Sequence, residues 1–194
     1  MQSKNNFMAS DKNKFQIKDY KKKININLGC GQRPLADFIN VDYFTTKNVD
    51  VITDLNKNLP FGDNYADLIY SDNVFEHIQN ILNLIKECQR VLKPGGKLIT
   101  RVPYFRSKGA FVDPTHVNFY TLQSMDYFVK GTYFHEQYRF FEETFSKRAI
   151  IIESKRSPIH SIINKIAVRA PHRFENSIVG KLYNIHTLVF ILTK

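Results

Sequence analysis

One run constrains the fold of this 194-residue chain more than any other feature: Ile24-Asn25-Ile26-Asn27-Leu28-Gly29-Cys30-Gly31. A short apolar strand that ends in Gly-x-Gly is typical of open α/β sheets, where a ligand lies against bare backbone at the carboxyl end of the strand. Asp42 and Asp54 follow where the next two strands are expected to end. Asp42 can accept both hydroxyls of a ribose, and Asp54 can accept an exocyclic amine. The pattern therefore predicts a site for a nucleoside cofactor.

Short apolar runs bounded by turn residues predict seven strands along the chain. Between the fourth and the fifth, from Val74 to Leu92, apolar residues recur at helical spacing, and Pro94-Gly95-Gly96 ends this pattern. The alternation of strands and helices predicts an α/β fold with a mostly parallel sheet. The strands are expected at residues 24–28, 38–42, 49–53, 66–70, 97–102, 148–153 and 187–193.

The connection between the first two predicted strands is short. About nine residues separate Leu28 from Phe38, whereas a parallel crossover normally takes about ten or more. We therefore expect a very short helix there, of one turn near residues 34–37. Farther along, residues 121–129 are predicted to form a helix capped by Thr121.

A basic insertion at about residues 155–183 separates the last two predicted strands. Its apolar residues recur at helical spacing and predict one apolar helix face. Packing of this face against the sheet is the favoured interpretation. The alternatives are a lid over an acidic or phosphorylated acceptor and an interfacial helix in peripheral contact with a membrane. The face consists of Ile159, Ile162, Ile163 and Ile166.

The formal net charge of +10 comes from the two ends of the chain. Residues 1–23 carry +5, residues 24–144 carry −2 and residues 145–194 carry +7. Basic patches bind the phosphates of nucleic acid, anionic lipid or phosphorylated ligands. A lysine-rich composition also gives a solvated basic face, and this simpler explanation is favoured here.

The first 23 residues are polar and lysine-rich and lack the apolar core of a signal peptide. We expect them to form a flexible basic arm, with a short helix near residues 15–20, ahead of one domain at residues 24–194. No stretch reaches the roughly 18 apolar residues of a membrane span, which predicts a cytoplasmic protein. Cys30 and Cys88 are expected to be free thiols. Neither Cys-x-x-Cys nor His-x-x-x-His occurs, so the spacing predicts no metal site.

Five motifs in a fixed order resemble the class I S-adenosylmethionine-dependent methyltransferases, in particular their type 11 domain, over roughly residues 24–154. The family's glycine-rich first motif is resembled by Asn27-Leu28-Gly29-Cys30-Gly31, its ribose-binding strand end by Asn40-Val41-Asp42, and its adenine-side loop by Asp54-Leu55 with Leu59-Pro60-Phe61. Its fourth strand and the helix start beyond it are resembled by Asp67-Leu68-Ile69-Tyr70-Ser71 and Phe75-Glu76-His77-Ile78. Its helix-to-strand turn, a specific signature, is resembled by Arg90-Val91-Leu92-Lys93-Pro94-Gly95-Gly96-Lys97-Leu98.

The resemblance implies a single Rossmann-like α/β domain with a mostly parallel seven-stranded sheet flanked by helices, and S-adenosyl-L-methionine as the cofactor. Two positions depart from the family pattern, because Asn27 stands where an acidic residue is usual and Arg33 where a third glycine is usual. The Asn-Leu-Gly-Cys-Gly variant resembles a subgroup that acts on sugars or cell-surface glycans. The implied cofactor contacts are Asn27, Gly29, Cys30, Gly31, Asp42, Tyr43, Asp54, Leu55 and Ser71.

A polar and aromatic segment from Asp113 to Tyr120 follows the fifth predicted strand, where a loop would overhang the reactive end of the cofactor. His116 is a candidate general base for an acceptor hydroxyl, and Asp113 can orient it or act itself. A structural role, in which His116 pins the aromatic loop, is weighted equally. Glu76 and His77 can reach the same site, although a structural role is favoured for this pair. The candidate walls of an acceptor pocket, residue types that more often fill a core, are Tyr104, Phe105, Phe119 and Tyr120.

Three classes of function follow from these features. The favoured one is O-methylation of a small molecule, sugar or glycan precursor. A nucleic-acid methyltransferase, acting on RNA for example, would use the basic ends; against it, the fourth strand ends in Ser71-Asp72-Asn73-Val74 and not in the Asn/Asp-Pro-Pro-aromatic run typical of base-amine methylation. A nicotinamide-binding or non-catalytic module on the same sheet is less favoured, because the third glycine is absent.

Overall fold

The computed structural model describes residues 23–139, 141–142, 144–154 and 157–194. The basic arm and the short helix near residues 15–20 lie outside the described residues, so the division of the chain at residue 23 stays a prediction. From residue 23 onward, the described chain forms one α/β domain built on a single sheet.

Seven strands form the sheet, as the sequence predicts. They are β1 (Asn25–Leu28), β2 (Ile39–Asp42), β3 (Val51–Ile52), β4 (Ala66–Asp72), β5 (Leu92–Pro103), β6 (Lys147–Glu153) and β7 (Thr187–Thr193). Their order across the sheet is β3-β2-β1-β4-β5-β7-β6. The first five strands are parallel, and β7 pairs antiparallel with β5 and β6. Because the order reverses between β1 and β4, the loops that leave their carboxyl ends diverge and open a crevice for a ligand.

Helices flank the sheet. Within the described residues the α-helices are α1 (Ile81–Val91), α2 (Tyr133–Tyr138), α3 (Pro158–Arg169), α4 (Pro171–Asn176) and α5 (Ile178–Leu182). The first of them occupies the predicted stretch between β4 and β5 but begins later than predicted, because Phe75–His77 forms a separate 3-10 turn. The carbonyls of Phe75 and Ile78 accept the side-chain amide of Asn118, which diverts them from a continuous helical pattern.

The helix predicted over residues 121–129 is wrong. The stretch forms turns and one 3-10 turn, Asp126–Phe128. The hydroxyl of Ser124 accepts the backbone N–H of Thr121, and the hydroxyl of Thr121 accepts the N–H of Gln123. Such local bonds between hydroxyls and the backbone compete with helix formation.

The crossover from β1 to β2, which is described throughout, contains no helix, so the single helical turn predicted there is wrong. The chain turns at Asp37, whose φ is +64°. The side chain of Asn40 holds the connection: its oxygen accepts the N–H of Leu35 at 2.8 Å, and its nitrogen donates to the carbonyls of Leu35 at 3.1 Å and Phe38 at 3.2 Å. Asn27 donates to the same oxygen at 3.0 Å. Two buried asparagines thus stand where a helix usually covers a parallel sheet.

Apolar residues cover both faces of the sheet. On one face, Ile26 and Leu28 of β1 belong to a large cluster that includes Leu84 and Ile85 of α1. The opposite face carries a smaller cluster, made of Phe38, Leu68, Tyr70, Ile99 and Val189.

The apolar face predicted for the basic insertion does not pack inward as expected. Ile159, Ile162 and Ile166 of α3 are 68%, 60% and 55% exposed. Of the four predicted residues only Ile163 packs against the core. The prediction of packing against the sheet is therefore wrong for most of this face, because the buried contacts of the insertion come from Ala167 and Phe174.

Candidate active site

Two glycines form a tight turn at the carboxyl end of β1. Gly29 and Gly31 have φ angles of +65° and +50°, which side chains rarely adopt. A Cβ atom on Gly29 would overlap the methyl groups of Val74, whereas a Cβ atom on Gly31 would meet nothing within 4 Å. Gly29 therefore packs β1 against the segment after β4, and Gly31 borders open space where a ligand can approach the backbone.

The carboxylate of Asp42 lies beside this turn. Its Oδ2 accepts the backbone N–H of Gly31 at 2.7 Å, and its Oδ1 accepts the N–H of Phe44 at 3.1 Å. Each carboxylate oxygen can accept two hydrogen bonds, so Asp42 can still accept the two hydroxyls of a ribose. Next to it, the ring of Tyr43 is exposed.

Asp54 lies beyond the end of β3. Its Oδ1 accepts the backbone N–H of Asn56 at 2.9 Å and the side-chain amide of Asn56 at 3.1 Å. These hydrogen bonds lower the pKa of Asp54. Asp54 is therefore an ionised acceptor at neutral pH, as an exocyclic amine requires.

Four other residues predicted to contact the cofactor are turned into the protein. Asn27 donates to Asn40, the Cys30 N–H donates to the carbonyl of Val41 at 3.0 Å, and Leu55 is part of the core. Ser71 is fully buried and donates to the hydroxyl of Thr100 at 3.0 Å. The residues that fit a nucleoside from the open side are Gly31, Asp42, Tyr43 and Asp54.

A second group of side chains meets beyond the end of β4. The carbonyl of Glu76 accepts the backbone N–H groups of Val117 at 2.8 Å and Asn118 at 3.1 Å. These bonds bring the loop after β5 onto the 3-10 turn. Three polar atoms consequently lie within 4.8 Å of one another: one nitrogen of His77, one nitrogen of His116 and one carboxylate oxygen of Glu76. The two imidazole rings meet edge to face, with centroids 4.7 Å apart.

Glu76 is the most unusual member of this cluster. Its side chain is 1% exposed. Burial raises its pKa to about 7, and the opposing effects of its own backbone N–H and of the nearby His116 only partly offset this rise. Sequence reasoning favoured a structural role for Glu76 and His77. The sequence signal for their proximity to His116 is their position directly after the fourth strand, because the loop after the fifth strand leaves the same edge of the sheet.

Hydrogen bonds fix the orientation of both imidazoles. The Thr115 hydroxyl donates to Asp113 at 2.7 Å and also lies 2.8 Å from Nδ1 of His77. A hydroxyl has one proton, so Nδ1 of His77 is the donor in this contact. Nδ1 of His116 lies 2.9 Å from the carbonyl of Ala110, which can only accept. Asp113 therefore positions His77 through Thr115, whereas the sequence suggested His116 as its partner.

An open apolar groove of about 460 Å³ begins next to the cluster. Of the four aromatic residues predicted to wall an acceptor pocket, Phe119 and Tyr120 line this groove. Tyr104 is fully buried instead, and its hydroxyl donates to Glu175 at 3.1 Å. Phe105 stacks edge-on against Tyr104. The remaining lining residues are Ile81, Leu82, Ile85, Val117, Asn118, Ser124, Met125, Tyr127, Phe128 and Phe141.

The glycine turn and the strand order agree with a comparison against known families. A family model described as a methyltransferase domain matches residues 30–100, from the glycine turn into β5. This match confirms the resemblance to the class I S-adenosylmethionine-dependent methyltransferases over residues 30–100. Asn27 and Arg33, the two departures from the family pattern, leave the sheet and the glycine turn intact.

Solved structures share the fold of this chain. A SAM-dependent methyltransferase from Archaeoglobus fulgidus is 15% identical with a TM-score of 0.60, and the match covers 90% of this chain and 88% of that one. A SAM-dependent methyltransferase from Thermotoga maritima, described as a possible histamine N-methyltransferase, is 15% identical with a TM-score of 0.56 over 89% of this chain and 82% of that one. At such identities the likeness concerns the fold.

One curated relative has a short stretch of closer similarity. The malonyl-[acyl-carrier protein] O-methyltransferase 1 of Coxiella burnetii (strain RSA 493 / Nine Mile phase I) is 46% identical over 41 residues, which are 21% of this chain and 14% of the relative. The matched stretch therefore spans about one seventh of that protein's length. Among its own described residues, no helix has both the length and the apolar composition that crossing a membrane requires.

Proposed function

We propose that the methyltransferase transfers a methyl group from S-adenosylmethionine to a hydroxyl of a small molecule, in particular a sugar or a glycan precursor. The cluster of Glu76, His77 and His116 carries this proposal. Val74, two residues before Glu76, packs against Gly29, so the cluster lies at the sheet edge where the cofactor is expected. Methylation of a hydroxyl needs a group that removes its proton, and an imidazole suits this role near neutral pH.

The residues in and near the glycine turn that face the open side of the site would hold the cofactor. Asp42 would accept its ribose hydroxyls, Asp54 its adenine amine, and Gly31 would border it with backbone alone. S-adenosylmethionine, when bound, supplies a methyl group on a positively charged sulfur. The protein's main contribution is then alignment of donor and acceptor with exclusion of water, which lowers the barrier by several kcal/mol through proximity.

The histidine cluster would handle the acceptor proton. In the neutral imidazole of His116, Nδ1 donates to Ala110, which leaves the lone pair of Nε2 to take a proton from the hydroxyl. A carboxylate at Glu76 would stabilise the imidazolium that forms. Asp113 would act indirectly, because Thr115 links it to His77.

The groove supports an acceptor that has an apolar face. Its lining contains no charged side chain, whereas a groove for a nucleic-acid backbone carries Lys and Arg. Sugars and small aromatic or aliphatic molecules present apolar faces that pack on rings such as that of Phe119. A phosphate on the acceptor would have to project outside the groove. Nucleic acid therefore remains the second candidate, supported by the basic ends alone.

The basic insertion supports peripheral contact with a membrane or another anionic surface. Lys165 and Arg169 lie three residues after the exposed Ile162 and Ile166 on α3. Apolar side chains flanked by basic ones are typical of helices that lie at a lipid interface. The hydroxyl of Tyr183 donates to Asn164 at 2.9 Å and ties the end of α5 to α3. The exposed apolar residues of this surface are Ile159, Ile162, Ile166, Ile178, Val179 and Leu182.

A calorimetric titration tests the cofactor assignment. We expect S-adenosylmethionine and S-adenosylhomocysteine to bind with one site per chain and NAD to show no binding. Asp42→Ala should weaken both affinities by about tenfold to a hundredfold, the usual effect of losing hydrogen bonds to a charged group. Asp63→Ala, which removes a carboxylate paired with Arg90 on the surface, is the matched control and should bind as the wild type does. Binding of NAD alone would contradict the proposal, and unchanged binding by Asp42→Ala would refute the ribose assignment.

A further inference from the structure

The carboxylate of Glu76 has no hydrogen-bond partner elsewhere in the described part of the chain. Both of its oxygens are buried without one. A buried carboxyl group without a partner ionises only at a large energetic cost, and proteins normally compensate for that cost by pairing the carboxylate with a cation or a metal ion. Glu76 faces the nitrogens of His77 and His116. Its surroundings therefore point to a positively charged ligand at this place.

Both histidines are prepared to act as ligands. In the neutral rings, Nδ1 of His77 donates to Thr115 and Nδ1 of His116 donates to Ala110. Each ring consequently keeps the lone pair of Nε2. Histidines that bind metals nearly always donate the other ring N–H to a carbonyl, a carboxylate or a linked polar group, because this fixes the ring and the tautomer. The hydrogen bond from Thr115 to Asp113 extends this support to a carboxylate.

The three side chains have the composition of a known type of metal site. Two imidazoles and one carboxylate bind Zn²⁺, Fe²⁺ and similar ions and leave coordination positions open, whereas Mg²⁺ and Ca²⁺ prefer oxygen ligands. The ligand atoms lie within 4.8 Å of one another. Two ligands about 2.1 Å from one ion in a tetrahedral site are about 3.4 Å apart, so binding requires the most widely separated ligand atoms to approach each other by up to about 1.4 Å. His77 and His116 are half-buried and can make such movements.

We propose that Glu76, His77 and His116 form a binding site for one divalent transition-metal ion of the Zn²⁺ type. Sequence spacing predicts no such site, because the two histidines are far apart in the chain and meet only through the bonds from Val117 and Asn118 to Glu76. The ion would bind to the Nε2 lone pair of His116. This lone pair would then no longer be available to remove a proton from the acceptor. An acceptor hydroxyl bound at an open position of the ion would lose its proton more easily. The site itself does not depend on the proposed methyl transfer.

Metal binding is measured directly on untagged, full-length protein that has been stripped with EDTA. Titration with Zn²⁺ by calorimetry, and with Co²⁺ by visible absorption, should give one ion per chain. Glu76→Gln and His116→Gln should each weaken binding at least tenfold. His172→Gln removes an exposed imidazole on α4 and is the matched control, which should bind Zn²⁺ as the wild type does. Asp113→Asn should lower the affinity by about tenfold or more, as supporting partners of ligands do.

Unfolding temperatures show whether each variant is folded and whether it binds the ion. Zn²⁺ should raise the unfolding temperature of the wild type and leave that of Glu76→Gln unchanged; if Glu76→Gln does not fold, the half-buried His77→Gln takes its place. Absence of one-to-one binding by the wild type, or binding that Glu76→Gln leaves intact, would overturn the proposal. S-adenosylmethionine binding is titrated separately, so a missing metal site would leave the proposed function in place with His116 as the base.

Discussion

Among single residues, Glu76 has the clearest consequence for stability. Burial raises its pKa to about 7 from the usual 4.5, with smaller effects from His116, Asp72 and Arg101. Below about pH 4.5 the carboxyl group is protonated in the folded and the unfolded chain. Between pH 4.5 and 7 the unfolded chain releases this proton while the folded chain keeps it, so the free energy of unfolding falls as the pH rises.

We therefore expect Glu76→Gln to gain stability relative to the wild type as the pH rises. Measured by urea unfolding in EDTA, the difference in unfolding free energy between the two proteins should grow by about 3 kcal/mol from pH 4.5 to pH 8. Glu142→Gln, an exposed position, is the control and should show no such growth. A difference that stays constant over this range would mean that Glu76 is not held in its neutral form.

Among elements, the helix-free crossover from β1 to β2 depends on Asn40. Its side chain satisfies the N–H and carbonyl of Leu35 and the carbonyl of Phe38. We expect Asn40→Ala to lower the free energy of unfolding by about 3 kcal/mol, because these buried groups and the amide of Asn27 would lose their partner. Urea unfolding measures the change, and Asn58→Ala on the exposed surface should alter it by less than about 0.5 kcal/mol. Comparable values for the two variants would contradict the role given to Asn40.

The elements also indicate what a sequence can predict. The sequence predicts all seven strands because each contains a short apolar run near turn residues, although β5 begins at Leu92, five residues earlier than predicted, and β3 is limited to Val51–Ile52. The helices over 34–37 and 121–129 failed because side-chain bonds to the backbone, from Asn40 in one case and from Thr121 and Ser124 in the other, decide the local structure. The proximity of Asp42 to Gly31 follows from motif order. The burial of Glu76 does not follow from motif order, because it depends on the packing of the loop after β5 against this residue.

At the scale of the whole molecule, the exposed apolar residues and basic charge of the insertion predict binding to anionic lipid. In co-sedimentation with vesicles of phosphatidylcholine and phosphatidylglycerol at low salt, the wild type should bind, and binding should fall as salt is added. Ile162→Ser should weaken binding at least tenfold, because it removes a large apolar contact. Ile52→Ser is the matched control, since Ile52 on β3 is similarly exposed at 58%. Equal loss in both variants, or no binding to vesicles, would assign the basic surface to another partner.

The contact between Gly29 and Val74 has a further consequence for how substrates are chosen. No flexible linker separates the glycine turn, which we propose borders the cofactor, from the short segment that carries Glu76 and His77. The backbone of Gly29 lies directly against the side chain of Val74 at the start of that segment. We expect no hinge motion to bring donor and acceptor sides together. Acceptors would then be selected by whether they fit a gap of preset width, and a change of specificity would require reshaping the groove, for example at Phe119, with the spacing of the two sides unchanged.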